Sequence, residues 1–208
     1  MNGTSHAAVG SAAGFVVANS FQTSPTATLL LVGLGGISGL VPDLDIDGKL
    51  RGKITFSHKV IRLSALIIGI MMVIYSFIEK SEIERWLGIG IGLLIILISS
   101  LIKQKHMLTI TGIAVFIGGF SIEELWIILL GLYIMVASLS SHRSYTHSLV
   151  GLIFFGFIAF LFESSLKIDG VLYACLGGYI SHLIGDLKIL PFNKRGVKMF
   201  LPLSSREI

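Results

Sequence analysis

Charge is what this chain has least of. Only 13% of its 208 residues are Asp, Glu, Lys or Arg, where a soluble domain carries about a quarter. The shortage runs along the whole chain, which excludes a soluble domain with a single anchor and points to a polytopic membrane protein. A hydrophobic share of 53% and a mean hydropathy of +0.87 agree. Cysteine is nearly absent. Cys175 is the single thiol and lies inside an apolar run, so no disulfide forms within the chain and its plain reading is a small buried hydrophobe. The opening MNGTSHAAVGSAAG has no positive n-region, so it is expected to be retained. A net charge of +4 does not require nucleic acid, because basic cytoplasmic loops account for it in a membrane protein. Neither a serine nucleophile elbow nor an HExxH helix occurs, which leaves serine-hydrolase and zincin chemistry without support. No internal repeat or low-complexity segment stands out. A single integral membrane domain over 1–208, with a short cytoplasmic C-terminal tail, is expected.

What is present is a series of apolar runs, at roughly 7–23, 26–41, 60–78, 86–102, 107–120, 125–140, 145–162 and 170–188. A transmembrane helix needs about 20 apolar residues. The run 60–78 meets this, whereas 7–23 and 26–41 are rich in Gly, Ala and Ser, which suits close helix packing. If all eight runs span, one side holds the N-terminus, 42–59, 103–106, 141–144 and the tail from Lys188. Of the 16 Lys and Arg, only Lys80, Arg85 and Lys167 then fall on the other side, leaving 13 on the first when Arg62 is counted there. That bias predicts an all-α, polytopic helical bundle of about eight spans, with six or seven as the fallback, and both termini cytoplasmic.

The topology also gathers the unusual polar residues at one membrane edge. His6 opens the first run, VPDLDIDG (41–48) closes the second, SHRSYTHS (141–148) opens the seventh and GYISHLIGD (178–186) ends the eighth. Ionisable groups there are costly unless paired, hydrated or bound to a cation. His182 and Asp186, four apart, lie about 40° apart on a helix face. Such a pair binds a divalent metal or simply hydrogen-bonds at a helix end. Pro42 disfavours helix at Val41, so the second helix is expected to end there, with Asp43 and Asp45 in extended chain facing one way. Paired carboxylates cap or bridge divalent ions. D-L-D-I-D-G resembles an EF-hand start but has Ile54 where the twelfth-position Glu is required. Asp47 reads as part of a solvated acidic turn.

His142 and His147 are about 140° apart on an ideal helix, so either His142 bends back from the loop or only one of them is a ligand. Arg143 offers its fork to a phosphate or carboxylate, unless it is an ordinary positive-inside arginine. Thr146 and Ser148 orient a histidine or cap a helix. His58 and His106 are expected in solvated basic loops, and Glu123 and Glu124 on the far side.

These motifs resemble the YdjM-type family of bacterial inner-membrane proteins, a family grouped with metal-dependent hydrolases. Five features match in order: His6 with Gly10; P-D-x-D at Pro42 to Asp45; H-R-x-x-T-H-S at His142 to Ser148; S-H-x-x-x-D at Ser181 to Asp186; and the tail Gly196 to Pro202. Ser144-Tyr145 departs from the small residue, such as glycine, expected inside the H-R motif. The resemblance implies a metal-assisted hydrolase of the inner membrane. His6, Asp43, Asp45, His142, His147, His182 and Asp186 are its candidate ligands for one or two divalent ions, zinc or manganese above all. Seven candidates exceed the three or four protein ligands of a single catalytic zinc. Arg143, His142 and Thr146 are the candidate catalytic residues, Arg143 to neutralise charge on a phosphoryl group. The expected partners are the lipid bilayer and an amphiphilic or phosphorylated substrate, lipid or lipid-linked. A transporter or metal-ion carrier using the same residues is one rival, although such sites lie near the bilayer midplane. A structural or regulatory membrane protein is the other.

Overall fold

The computed structural model describes residues 1–44, 58–78, 81–101, 104–141, 143–190, 193 and 195–208. Among them are eight α-helices and no strand. They are α1 (Gly3–Ser20), α2 (Pro25–Ser38), α3 (His58–Ser76), α4 (Glu82–Leu101), α5 (Gln104–Ser121), α6 (Leu125–Leu139), α7 (Leu149–Leu166) and α8 (Val171–Gly185). Each apolar run of the sequence therefore becomes one helix. Segments within α3, α4 and α7 are long and apolar enough to cross a membrane, while α2, α5, α6 and α8 are apolar but shorter.

The chain divides into two compact units, residues 52–107 and the remainder. In the smaller unit α3 and α4 pack together through glycines. A Cβ on Gly92 would stand 2.9 Å from the Gly69 carbonyl oxygen, so the backbones meet where side chains are missing. The other faces of both helices carry exposed Ile, Leu and Met, the composition of helices solvated by lipid.

The larger unit is built on the hairpin of α1 and α2. Asn2 caps α1 by accepting from the Ser5 amide at 2.8 Å, and α2 begins with Ser24 as cap and Pro25 in its first turn. The buried residues of α1 are His6, Gly10, Gly14 and Ala18, a stripe of period four along one face. α8 buries Val171, Cys175, Gly178 and His182 in similar register. Both stripes close on Gly35 of α2: a Cβ on either Gly10 or Gly178 would collide with the Gly35 carbonyl oxygen. Three helix backbones thus approach more closely than any side chain permits. α7 packs on α8 and α6 on α7, around a core that includes Leu31, Phe155, Val171 and Tyr179.

Four local expectations change. α2 ends at Ser38, and Val41–Leu44 forms a 3-10 turn rather than extended chain. The proline ring's φ suits such a turn, and the Asp43 amide closes it onto the Leu40 carbonyl at 3.1 Å. Tyr145–His147 is likewise a 3-10 turn, so α7 starts only at Leu149, capped by Ser148. His58 begins α3 instead of lying in a loop, and His106 sits half-buried in the first turn of α5.

Candidate metal centre

Each ligand candidate among the described residues sits where a helix begins or ends. His6 is in the first turns of α1, Asp43 in the turn after α2, and His147 in the turn before α7. His182 is in the last turn of α8, with Asp186 just beyond it. Antiparallel connection brings these ends together, and the same stripes that seat Gly10 and Gly178 against Gly35 carry His6 four residues before Gly10 and His182 four residues after Gly178. His6, His147 and His182 are fully buried, and Asp186 nearly so.

The ring nitrogens face one another. His147 Nε2 and His182 Nε2 are 3.1 Å apart. Each lies 3.8 Å from Asp43 Oδ1, and they lie 3.9 and 3.8 Å from Asp186 Oδ2, respectively. Neighbouring ligands of a tetrahedral zinc, each about 2.0–2.1 Å from the ion, are about 3.3 Å apart. The observed separations bracket that value, so this donor set fits a divalent ion. His6 stacks on the His182 ring with centroids 3.8 Å apart and places Nε2 3.3 Å from Asp186 Oδ1. Two overlapping groups, His6–His182–Asp186 and Asp43–His147–His182, therefore have the spacing of metal ligands. Gly185 makes room for this stack, since a Cβ there would stand 3.1 Å from His6 Cε1.

The surroundings orient these groups. His182 Nδ1 is 2.7 Å from the Gly39 carbonyl. A carbonyl only accepts, so Nδ1 carries the proton and Nε2 presents its lone pair to the centre. His147 Nδ1 pairs with the Thr146 hydroxyl at 3.1 Å. Tyr179 donates its hydroxyl proton to the Thr146 carbonyl. Having given its one proton, Tyr179 accepts from Tyr133 at 3.0 Å.

Cationic groups close the site. Arg143 Nη2 lies 3.0 Å from Asp186 Oδ2 and Nη1 donates to the Arg195 carbonyl at 2.7 Å. Arg143 has φ +58°, a left-handed backbone that Gln22, Glu123 and Lys167 also adopt. The Met1 amine is 3.0 Å from Asp186 Oδ1. Burial alone would raise the Asp186 carboxyl, but hydrogen bonds from His6 and the Met1 amine, with His182 and Arg143 nearby, hold it well below the usual carboxylate range.

Five of the seven candidate ligands thus converge, with Arg143 and Thr146 beside them. Asp45 and His142 lie outside the described residues. Glu124 and Glu163 belong to the opposite helix ends, where they accept from Ser165 and from the Leu172 amide. Gly39, Tyr133 and Tyr179 were not anticipated. Tyr179 had one visible signal, its position three residues before His182 on the same face of α8.

Apolar helices enclosing a buried His/Asp centre define a helical membrane protein with donors arranged for a metal. The chain belongs to the YdjM inner membrane protein family, whose model matches residues 1–208, the entire sequence. Comparison with curated proteins and with solved structures returns no match.

Proposed function

We propose that this protein is a metal-dependent hydrolase of the bacterial inner membrane, multi-pass with both termini cytoplasmic. Its substrate is a phosphoester of an amphiphilic molecule, lipid or lipid-linked, and its site lies at the cytoplasmic edge. The observation that carries the reading is the pair of buried imidazole nitrogens 3.1 Å apart, each within 3.9 Å of two carboxylates. Two nitrogens, two carboxylate oxygens and no thiolate suit zinc or manganese better than calcium, which takes oxygen ligands.

His147, His182, Asp43 and Asp186 hold the ion in this reading, and His6 joins through the second oxygen of Asp186. A divalent ion in such a set lowers the pKa of water and polarises a phosphoryl oxygen. Gly39 and Thr146 keep each imidazole turned inward by engaging its other nitrogen. Arg143, already beside Asp186, presents a planar fork suited to phosphoryl oxygens. The 13-to-3 division of basic residues supports the cytoplasmic orientation.

The test is elemental analysis of protein purified without chelator, together with phosphatase assays on short-chain and long-chain phosphate monoesters. Bound zinc or manganese with activity that chelation abolishes is the expected result. A metal-free preparation that gains neither thermal stability nor activity on adding either ion overturns the reading.

A further inference from the structure

We infer that the cavity between α6 and α7 receives the hydrocarbon chain of the substrate, so that the enzyme acts on a single-chain segment directly behind its phosphate. This rests on the hydrolase reading above and deepens it. The cavity measures about 220 Å³ and is lined by Leu132, Val136, Tyr145, Thr146, Val150 and Phe154, among others. It is larger than an engineered cavity of about 150 Å³ that holds a benzene ring, and apolar surface of this kind gains by taking up hydrocarbon.

Its placement says which hydrocarbon. Thr146 belongs both to the cavity wall and to the polar centre, because its hydroxyl meets His147 Nδ1. Tyr133 also lines the cavity, yet its hydroxyl is spent on Tyr179, so only its ring is offered there. Gly151 completes the wall next to the 145–147 turn: a Cβ there would collide with the Tyr145 carbonyl and stand 2.8 Å from the Tyr179 hydroxyl. An apolar slot therefore lies one residue, Thr146, from His147, whose other ring nitrogen faces the ligand cluster. That sequence of surfaces matches an amphiphile whose anionic head lies at the ligand cluster and whose chain runs back between α6 and α7. A free sugar phosphate or nucleotide has nothing to place in it.

The experiment compares binding of dodecyl phosphate, inorganic phosphate and dodecanol to metal-loaded protein held in an amphipathic polymer without detergent. Val136→Trp and Val150→Trp fill the slot from opposite helices, at side chains half-exposed on its rim. Wild type should bind dodecyl phosphate at least about tenfold more tightly than inorganic phosphate. Both variants should cut that preference to about threefold or less while metal content and phosphate affinity stay unchanged. A photoreactive dodecyl phosphate should cross-link wild type within 132–154, a readout that needs no variant to fold. Variants that keep the full preference overturn the inference, as does dodecanol binding as tightly as dodecyl phosphate, which marks a lipid groove indifferent to the head group. Retained metal and phosphate binding with no chain preference sinks the slot alone. Loss of metal and of both phosphate ligands in wild type sinks the hydrolase reading beneath it.

Discussion

His147 Nε2 and His182 Nε2 stand 3.1 Å apart in a fully buried site. Because the Gly39 carbonyl engages His182 Nδ1, the His182 side of that contact is a lone pair. Opposite it stands either a proton on His147 or a cation shared with the carboxylates. Metal content separates the two. His182→Ala and Asp186→Ala should each lose the bound ion while remaining folded, as read by elemental analysis and gel filtration. Wild type should gain about 2.7 kcal/mol of stability at a metal concentration of about 100 Kd. If either variant keeps full occupancy, the centre lies elsewhere.

Removing charge at Asp186 tests what surrounds it. Proximity in sequence of Asp43 and Asp45 to the same membrane edge suggests carboxylate repulsion, and hence that Asp186→Asn stabilises metal-free protein. The structure reverses this expectation: Arg143, the Met1 amine and His6 all contact Asp186. Asp186→Asn should therefore destabilise metal-free protein, by roughly 2 kcal/mol, the scale of a hydrogen bond to a charged group. With its pKa lowered in the folded state, Asp186 contributes stability above the ordinary carboxylate value of about 3.9, and the contribution fades as pH falls below it. Urea melts at neutral pH, with and without the substitution, decide the sign.

Gly35 is where α1, α2 and α8 converge. Gly35→Ala would push a methyl group against the Gly10 carbonyl, costing about 3 kcal/mol or more because backbone rather than a flexible side chain must yield. Gly33→Ala, on the same helix with nothing within 4 Å, should instead be neutral or gain up to about 1 kcal/mol from helix propensity. Thermal unfolding in detergent compares them. Equal effects at the two positions would show that the helices do not meet at Gly35.

Tyr179 supports the turn that carries His147 without touching a ligand atom itself. Tyr179→Phe removes the donor to the Thr146 carbonyl and the acceptor for Tyr133, at a cost of about 1–3 kcal/mol. Metal affinity should drop as well, by less than the about 10–100-fold that follows loss of a direct outer partner of a metal ligand, because Tyr179 acts on His147 through Thr146. Tyr133→Phe, one bond further out, should be milder in both respects. A competitive chelator titration reads the affinities, and unchanged affinity in Tyr179→Phe would mean that the turn is held by other contacts.

Topology is checked by labelling single cysteines in a Cys175→Ser background. Ser141 and Glu82 are both exposed. Position 141 should react only from the cytoplasmic side and position 82 only from the periplasmic side. The opposite pattern would invert the arrangement that the basic residues support.

Much of this was written in the chain itself. Scarcity of charge set the membrane class, because lipid tolerates only backbone that satisfies its own hydrogen bonds. The eight apolar runs became eight helices. The alternation of basic segments predicted one neighbourhood for His6, Asp43, His147, His182 and Asp186, and the structure brings these five together. The His6–Gly10 and Gly178–His182 spacings were also legible, as pairs on one helical face. Their purpose was not, because a glycine's role depends on the backbone it meets, and Gly35 is supplied by a different helix. Only the tertiary structure decided that Asp43 sits in a 3-10 turn and that cations surround Asp186. It also decided that the carbonyl turning His182 inward belongs to Gly39, 143 residues earlier. Periodicity within a segment reports which face is buried. Which atoms then meet is settled by packing between segments, where a shift of about one ångström separates a metal ligand from a bystander.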